Sequence, residues 1–236
     1  MPRGTEARHR GIPEKVTSMA LLPSTWERLR DLSGKDPSVP VNGTSYRIRE
    51  DWLRFLPVFS RIDDLGSGIV AIDGPSASGK TTLGDLLGSV YGCPVIRMDD
   101  FFLPRERASK ARLKEIGGNL DHERFLEEVV LPLKAGKEAV YHVFDCTKQA
   151  FSQTRKVPPS PLVIVEGVYS LHPRFADLYS LRVFLDVSAG EKIRRIFRRN
   201  GKNVGLSFRH LRKWLPLEDR YFRALNLAEQ ADLRIR

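Results

Sequence analysis

Cysteine is almost absent from this chain of 236 residues. Only Cys93 and Cys146 occur, which excludes a disulfide framework and a cysteine-based zinc site and leaves buried free thiols as the expectation. Long apolar runs are missing as well. No stretch approaches the roughly 18 residues of a membrane span, and Met1 to Lys15 lacks the apolar core of a secretory signal, so a cytoplasmic protein without a membrane partner is expected. Neither repeats nor low-complexity segments are visible. The 41% hydrophobic and 29% charged content matches a folded globular chain, not a disordered one.

Acidic residues are scarce in one place. Glu191 to Lys213 holds nine Lys or Arg and a single acid, within a chain of net charge +10 and pI near 9.8. A surplus of that kind suits nucleic acid, an anionic membrane or a phosphorylated small molecule, and its concentration in one segment points to a local role.

Residues 1–65 read as an N-terminal extension. Its first dozen residues, rich in Arg, Gly and Pro, are expected to be a mobile tail. Ser24 to Leu32 reads as a helix, Ser33 to Gly43 as a loop, and Ser45 to Ile62 as an amphipathic helix broken at Pro57. From 66 to 236 the pattern changes. Gly68–Asp73, Pro94–Met98, Leu162–Glu166 and Leu181–Leu185 are short apolar runs of buried-strand type separated by helical stretches, with Ala231–Arg236 as a further edge strand. This alternation predicts an α/β three-layer sandwich, a mainly parallel sheet with helices on both faces and ligands beyond the strands' carboxyl ends.

The first strand runs into Gly74-Pro75-Ser76-Ala77-Ser78-Gly79-Lys80-Thr81, a complete G-x-x-x-x-G-K-[ST] octet, and then into the helical segment Thr82–Val90. In such a loop the glycines let the backbone wrap, amides from Ser76 to Thr82 face phosphate oxygens, Lys80 adds a positive charge and the Thr81 hydroxyl can meet Mg²⁺. ATP and Mg²⁺ are therefore the expected cofactors. The loop alone fits kinases, GTPases and motor ATPases equally. A guanine-reading N-K-x-D run is missing, and the strand Leu162–Val165 ends in a single Glu166 followed by Gly167.

The second strand delivers Asp99 and Asp100 to the same sheet edge, where phosphoryl transfer to an alcohol needs a carboxylate to accept the hydroxyl proton. Asp100 fits a cap of the following turn. Glu166, closing an apolar run, suits a position near Mg²⁺ directly or through water.

These residues resemble the uridine kinase, phosphoribulokinase and pantothenate kinase superfamily, in order along residues 68–236. Asp73 to Thr82 is similar to its ATP loop, and Met98-Asp99-Asp100-Phe101 to its strand-end Asp. The resemblance makes Asp99 the catalytic base and a metal neighbour with Thr81 and Glu166. Asn119-Leu120-Asp121-His122 is similar to a segment whose Asp holds substrate hydroxyls, although Asp121 equally reads as a helix N-cap. Val140 to Asp145 sits where these kinases recognise the base, which implies Tyr141 and Asp145 as substrate contacts; one of Tyr141 and His142 is core. After Tyr141 the pattern departs from that of uridine kinases.

Arg194-Arg195-Ile196-Phe197-Arg198-Arg199 resembles the superfamily's arginine-rich lid, about residues 191–213. Here Ile193, Ile196 and Phe197 form one apolar stripe, and Gly201 and Gly205 are candidate hinges. Arg195 and Arg199 are expected at the transferring phosphate, Arg194 and Arg198 toward the substrate.

The implied activity is transfer of the ATP γ-phosphate to the 5′-hydroxyl of a nucleoside such as uridine or cytidine. A sugar, a pantothenate-like molecule or a specialised metabolite is the alternative acceptor. A nucleic-acid-binding P-loop ATPase and a non-catalytic nucleotide sensor are rivals of other classes, the latter opposed by Lys80 and Asp99. A small-molecule hydroxyl is the expected partner, not nucleic acid, and a homo-oligomer is compatible with the sequence.

Overall fold

The apolar runs of the C-terminal two-thirds form one five-stranded parallel sheet. The computed structural model describes residues 21–33, 38–41, 44–47, 49–201 and 203–236; the expected N-terminal tail lies outside them. The chain divides into two compact units, Met1–Asp63 and Asp64–Arg236, against the sequence boundary placed at 65/66.

In the first unit, α1 (Pro23–Ser33) buries Trp26 and Leu29. Asp63 ties its start to α2 (Leu56–Leu65), accepting from the Leu22 amide at 2.9 Å and the Thr25 hydroxyl at 2.8 Å. The segment between differs from expectation. β1 (Ser38–Val41) and β2 (Thr44–Arg47) form an antiparallel pair where a loop and the start of a helix were predicted. Val39, Val41, Thr44 and Tyr46 are residues that favour a pleated strand, and that preference prevails here. The expected helix is interrupted at Phe55/Leu56, where a 3₁₀ helix over Glu50–Phe55 gives way to α2, so Pro57 stands just inside the second segment. It is the second residue of α2, where a missing N–H costs nothing.

In the second unit the strand order is β4 (Val95–Arg97), β7 (Leu162–Glu166), β3 (Gly68–Asp73), β8 (Leu181–Leu185), β9 (Leu233–Ile235). All four pairings are parallel. β7 is buried along its whole length, as a strand covered on both faces must be. α3 (Lys80–Tyr91) follows β3. α4 (Lys110–Lys114), α5 (His122–Phe125) and α6 (Leu131–Lys134) follow β4, a π-helical turn over Leu126–Val130 joining the last two. The hairpin of β5 (Ala139–Asp145) and β6 (Ala150–Val157) stands apart from the main sheet. β9 lies at the sheet edge, and its Arg234 reaches Asp186 at 2.7 Å, as an edge position allows.

The basic segment becomes α7 (Ala189–Asn200) and α8 (Val204–Arg209); a π-helical turn, His210–Trp214, leads into α9 (Leu215–Leu225), followed by α10 (Leu227–Gln230). Ile196 is buried, but Ile193 is exposed. Lys192 turns inward in its place and pairs with Asp219 at 3.4 Å. Gly201 ends α7 at φ +53°, a conformation that breaks a helix. Gly205 is no hinge: Asn203 caps α8 by accepting from the Leu206 amide, so Gly205 lies in a helical first turn.

Candidate active site

The register of the sheet brings the chemistry to one edge. Ile72 of β3 and Arg97 of β4 both lie opposite Glu166 of β7, so Gly74, Asp99 and Glu166 emerge side by side at the strands' carboxyl ends. Gly74 is required there: at φ +142°, a Cβ would sit 2.1 Å from the Leu185 carbonyl oxygen. Ala77 at φ +63° and Gly79 at φ +106° turn the loop so that successive amides converge. Lys80 to Thr82 open α3, and their amides have no intrahelical acceptor at the positive end of the helix dipole. The buried Lys80 ammonium lies in the loop's mouth, donating to the carbonyls of Gly74 at 2.7 Å and Pro75 at 3.0 Å.

The two strand-end aspartates separate by environment. Asp99 is exposed. Asp100 is buried inside a 3₁₀ turn, where it pairs with Arg155 at 3.0 Å and accepts from the Tyr141 hydroxyl at 3.3 Å; desolvation raises its pKa. The turn-cap role expected for Asp100 is therefore replaced by an ion pair. That leaves Asp99 as the accessible carboxylate.

Glu166 is buried, and its carboxyl is pushed up to about 7, first by desolvation and then by the nearby Asp99 charge. Lys80, a hydrogen bond from Thr81 and Arg97 act in the opposite direction. Gly84 of α3 lets the helix close on this side chain, since a Cβ there would meet Glu166 Cγ at 3.1 Å. Thr81, Glu166 and Asp99 thus form an oxygen-only donor set beside the phosphate loop. Among the described residues no group of three His, Cys, Asp or Glu could hold a metal ion. Mg²⁺ takes one or two carboxylates and completes its shell with water and nucleotide phosphates, and the oxygens of Thr81, Glu166 and Asp99 could hold it in that way.

Among the described arginines of α7, Arg195 is the one that touches the loop. It is half-buried, donates from Nη1 to the Ala77 carbonyl at 3.1 Å and the Ser78 carbonyl at 3.4 Å, and holds Glu191 through Nε. Arg194 forks onto the same Glu191, and Arg198 and Arg199 are exposed. Besides burial and Glu218, Arg199 and Asp99 both act on the charge of His210, so the C-terminal end of α7 and Asp99 share one electrostatic neighbourhood.

The expected acceptor contacts are largely committed within the chain. Asp121 is 0% exposed, caps α5 by accepting from the Arg124 amide at 3.3 Å, and pairs with Arg107. Tyr141 lies in the core, its ring 5.0 Å from that of Phe101. Asp145 caps the hairpin turn, its pKa lowered chiefly by the Thr147 hydroxyl and then by the Lys148 and Thr147 amides. Cys146, beside it, feels the charges of Asp99, Asp145, Lys213 and Arg105, which puts the hairpin tip near Asp99.

Sequence reasoning missed Glu218 and Tyr221 of α9. Glu218 takes both the amide and the hydroxyl of Ser76, at 2.8 Å and 2.5 Å, and the Tyr221 hydroxyl donates to Asp73 at 2.8 Å. Their only mark in the sequence is a three-residue spacing, which any amphipathic helix shares.

A parallel sheet with a phosphate loop after its central strand and acids at the neighbouring strand ends defines a P-loop kinase-type fold. The chain belongs to the phosphoribulokinase/uridine kinase family, whose model matches residues 69–210. It is 31% identical over 142 residues to a uridine kinase of Mycoplasma pneumoniae (strain ATCC 29342 / M129 / Subtype 1), covering 55% of this chain and 66% of that protein. Similarity to the inorganic pyrophosphatase TTM2 of Arabidopsis thaliana is 30% over 139 residues, 56% of this chain and 19% of that protein. The uridine-cytidine kinase C of Dictyostelium discoideum is 31% identical over 140 residues, with 55% and 29% covered. The chain therefore matches less than a third of the latter two proteins. Among solved structures, a possible uridine kinase from Bacillus stearothermophilus shares the fold, with a TM-score of 0.55 at 22% identity over 72% of this chain and 89% of the other. No helix among the described residues is long and apolar enough to cross a membrane.

Proposed function

We propose that this kinase transfers the γ-phosphate of ATP to the 5′-hydroxyl of a nucleoside, uridine or cytidine being the acceptors to test first. The observation that carries the reading is Asp99: an exposed carboxylate at the end of β4, within electrostatic reach of the buried Glu166 and beside the phosphate loop. In this role Asp99 accepts the acceptor's proton and aims its oxygen at the γ-phosphate. Lys80 and the amides of Gly79 to Thr82 hold the phosphates; Arg195 and Arg199 answer the charge that develops during transfer. Bound Mg²⁺ would be held by Thr81, Glu166 and Asp99 and would offset phosphate charge. Asp121, Tyr141 and Asp145 keep the acceptor side in shape, with Arg194 and Arg198 at its outer rim. Residues 66–236 carry this chemistry and residues 1–65 are an extension. The relatives' names support the nucleoside; a sugar or pantothenate-like alcohol is the second acceptor class, since the base-recognition stretch departs from the uridine kinase pattern.

The test is ADP release from Mg-ATP with uridine, cytidine, pantothenate and sugars, with pyrophosphate hydrolysis and nucleic-acid stimulation as controls. Fast turnover on uridine or cytidine, lost in Asp99→Asn, is expected. Asp99-dependent turnover on another alcohol alone would replace the acceptor. Turnover indifferent to Asp99 would remove the mechanism.

A further inference from the structure

We infer that Glu218 is a positioning residue for nucleotide binding: it acts through Ser76 to hold the phosphate loop in its receptive shape. The inference rests on the phosphotransfer reading of the loop. Three of the loop's amides are bonded within the chain. The Gly74 amide donates to Asp73 at 2.7 Å, that of Ser76 to Glu218 at 2.8 Å and that of Ser78 to the Pro75 carbonyl at 3.1 Å. Each of these contacts holds the loop's backbone, while the amides of α3's first turn have no intrahelical acceptor.

Glu218 stands out because it comes from 142 residues away and makes two contacts, one to the backbone and one to the hydroxyl of the same residue. It is 5% exposed, so the carboxylate has given up water for this site, which is costly unless its oxygens are satisfied. One turn further along α9, Tyr221 bonds Asp73, which also accepts from the Leu171 amide at 3.0 Å. α9 therefore grips the loop at the residue before it and at its third residue. Arg195 braces the loop's carbonyls at Ala77 and Ser78 from α7.

A carboxylate beside a polyphosphate site also repels the ligand. Its two contacts to Ser76 therefore point to geometry, because charge alone would weaken binding. Geometry and charge separate in two conservative variants. Glu218→Gln keeps the reach and an acceptor oxygen for the Ser76 amide but drops the charge. Glu218→Asp keeps the charge but falls one methylene short of Ser76.

Mg-AMP-PNP binding to the full chain, measured by calorimetry, needs no acceptor and so is independent of acceptor identity. The expected order is Glu218→Gln within about threefold of wild type or tighter, and Glu218→Asp about tenfold weaker, the scale of one charge-assisted hydrogen bond. Glu218→Gln is expected to keep the wild-type melting profile, and Glu218→Asp to stay folded with a Tm lower by about 2–4 °C. Wild-type-like binding by Glu218→Asp, or equal weakening in both, would overturn the positioning role. Wild-type protein that binds AMP-PNP but phosphorylates no alcohol would instead remove the kinase reading and leave this inference standing.

Discussion

Tyr221 donates its hydroxyl to Oδ2 of Asp73 across 2.8 Å, and both groups are buried. Desolvation raises the Asp73 carboxyl to about 6, with the Leu171 amide, Lys80, the Gly74 amide and Tyr221 acting the other way. The folded chain therefore binds a proton here more tightly than the unfolded one. Asp73 accordingly favours the fold below about pH 4, and that contribution is lost as pH rises to about 6, a change of about 3 kcal/mol in all.

Replacing Tyr221 by Phe removes a donor to the charged carboxylate. Urea unfolding at pH 7.5 is expected to show a loss of about 1–3 kcal/mol, shrinking at pH 5, where the acid is protonated. An equal loss at both values would mean that the hydroxyl does not serve the ionised form.

Glu166 sets a second pH dependence. Its carboxyl is held up to about 7 by burial and by Asp99, and a carboxylate must lose its proton to serve a metal. Affinity for Mg-AMP-PNP should therefore fall between pH 8 and pH 6, approaching about tenfold per unit below pH 7. Glu166→Gln should bind more weakly at pH 8 and show a flatter profile. A wild-type profile that is equally steep without Mg²⁺ would assign the effect to another group.

The arginines of α7 are predicted to be unequal. Arg195 reaches the Ala77 and Ser78 carbonyls, whereas Arg198 is exposed. Arg195→Ala should lower kcat/KM for ATP by about tenfold or more, and Arg198→Ala by less than about threefold. Equal effects would show that the lid acts through its summed charge.

The sheet was legible because four of its five strands are short apolar runs that lead into an acid, and the octet from Gly74 to Thr81 follows the first of them. Asp99 and Glu166 were legible for the same reason: strand ends of a parallel sheet share one edge. What the sequence hid depends on long-range contact. Nothing local links Glu218 to Ser76, 142 residues earlier, or separates Arg195 from Arg198. Residues 38–41 and 44–47 were misread because the Gly, Pro, Ser and Asp content up to Gly43 suits a loop and the mix of charged and bulky residues from Ser45 suits a helix, and only pairing makes them strands.

Asp121 offered two readings in the sequence, a contact for substrate hydroxyls or a helix cap, and its burial favours the cap. It accepts from the Arg124 amide and is covered by Arg107, whose side chain is 54% exposed. Asn is as good an N-cap as Asp, so Asp121→Asn keeps the start of α5 and loses only the charge facing Arg107 and Arg124. Its stability should drop by about 1–2 kcal/mol, with the acceptor's KM within about threefold of wild type. Asp121→Ala removes cap and charge together and should cost about 3 kcal/mol or more. A stable Asp121→Asn protein whose acceptor KM rises tenfold or more, with KM for ATP unchanged, would put this carboxylate on the substrate and require Arg107 to swing aside when the acceptor binds.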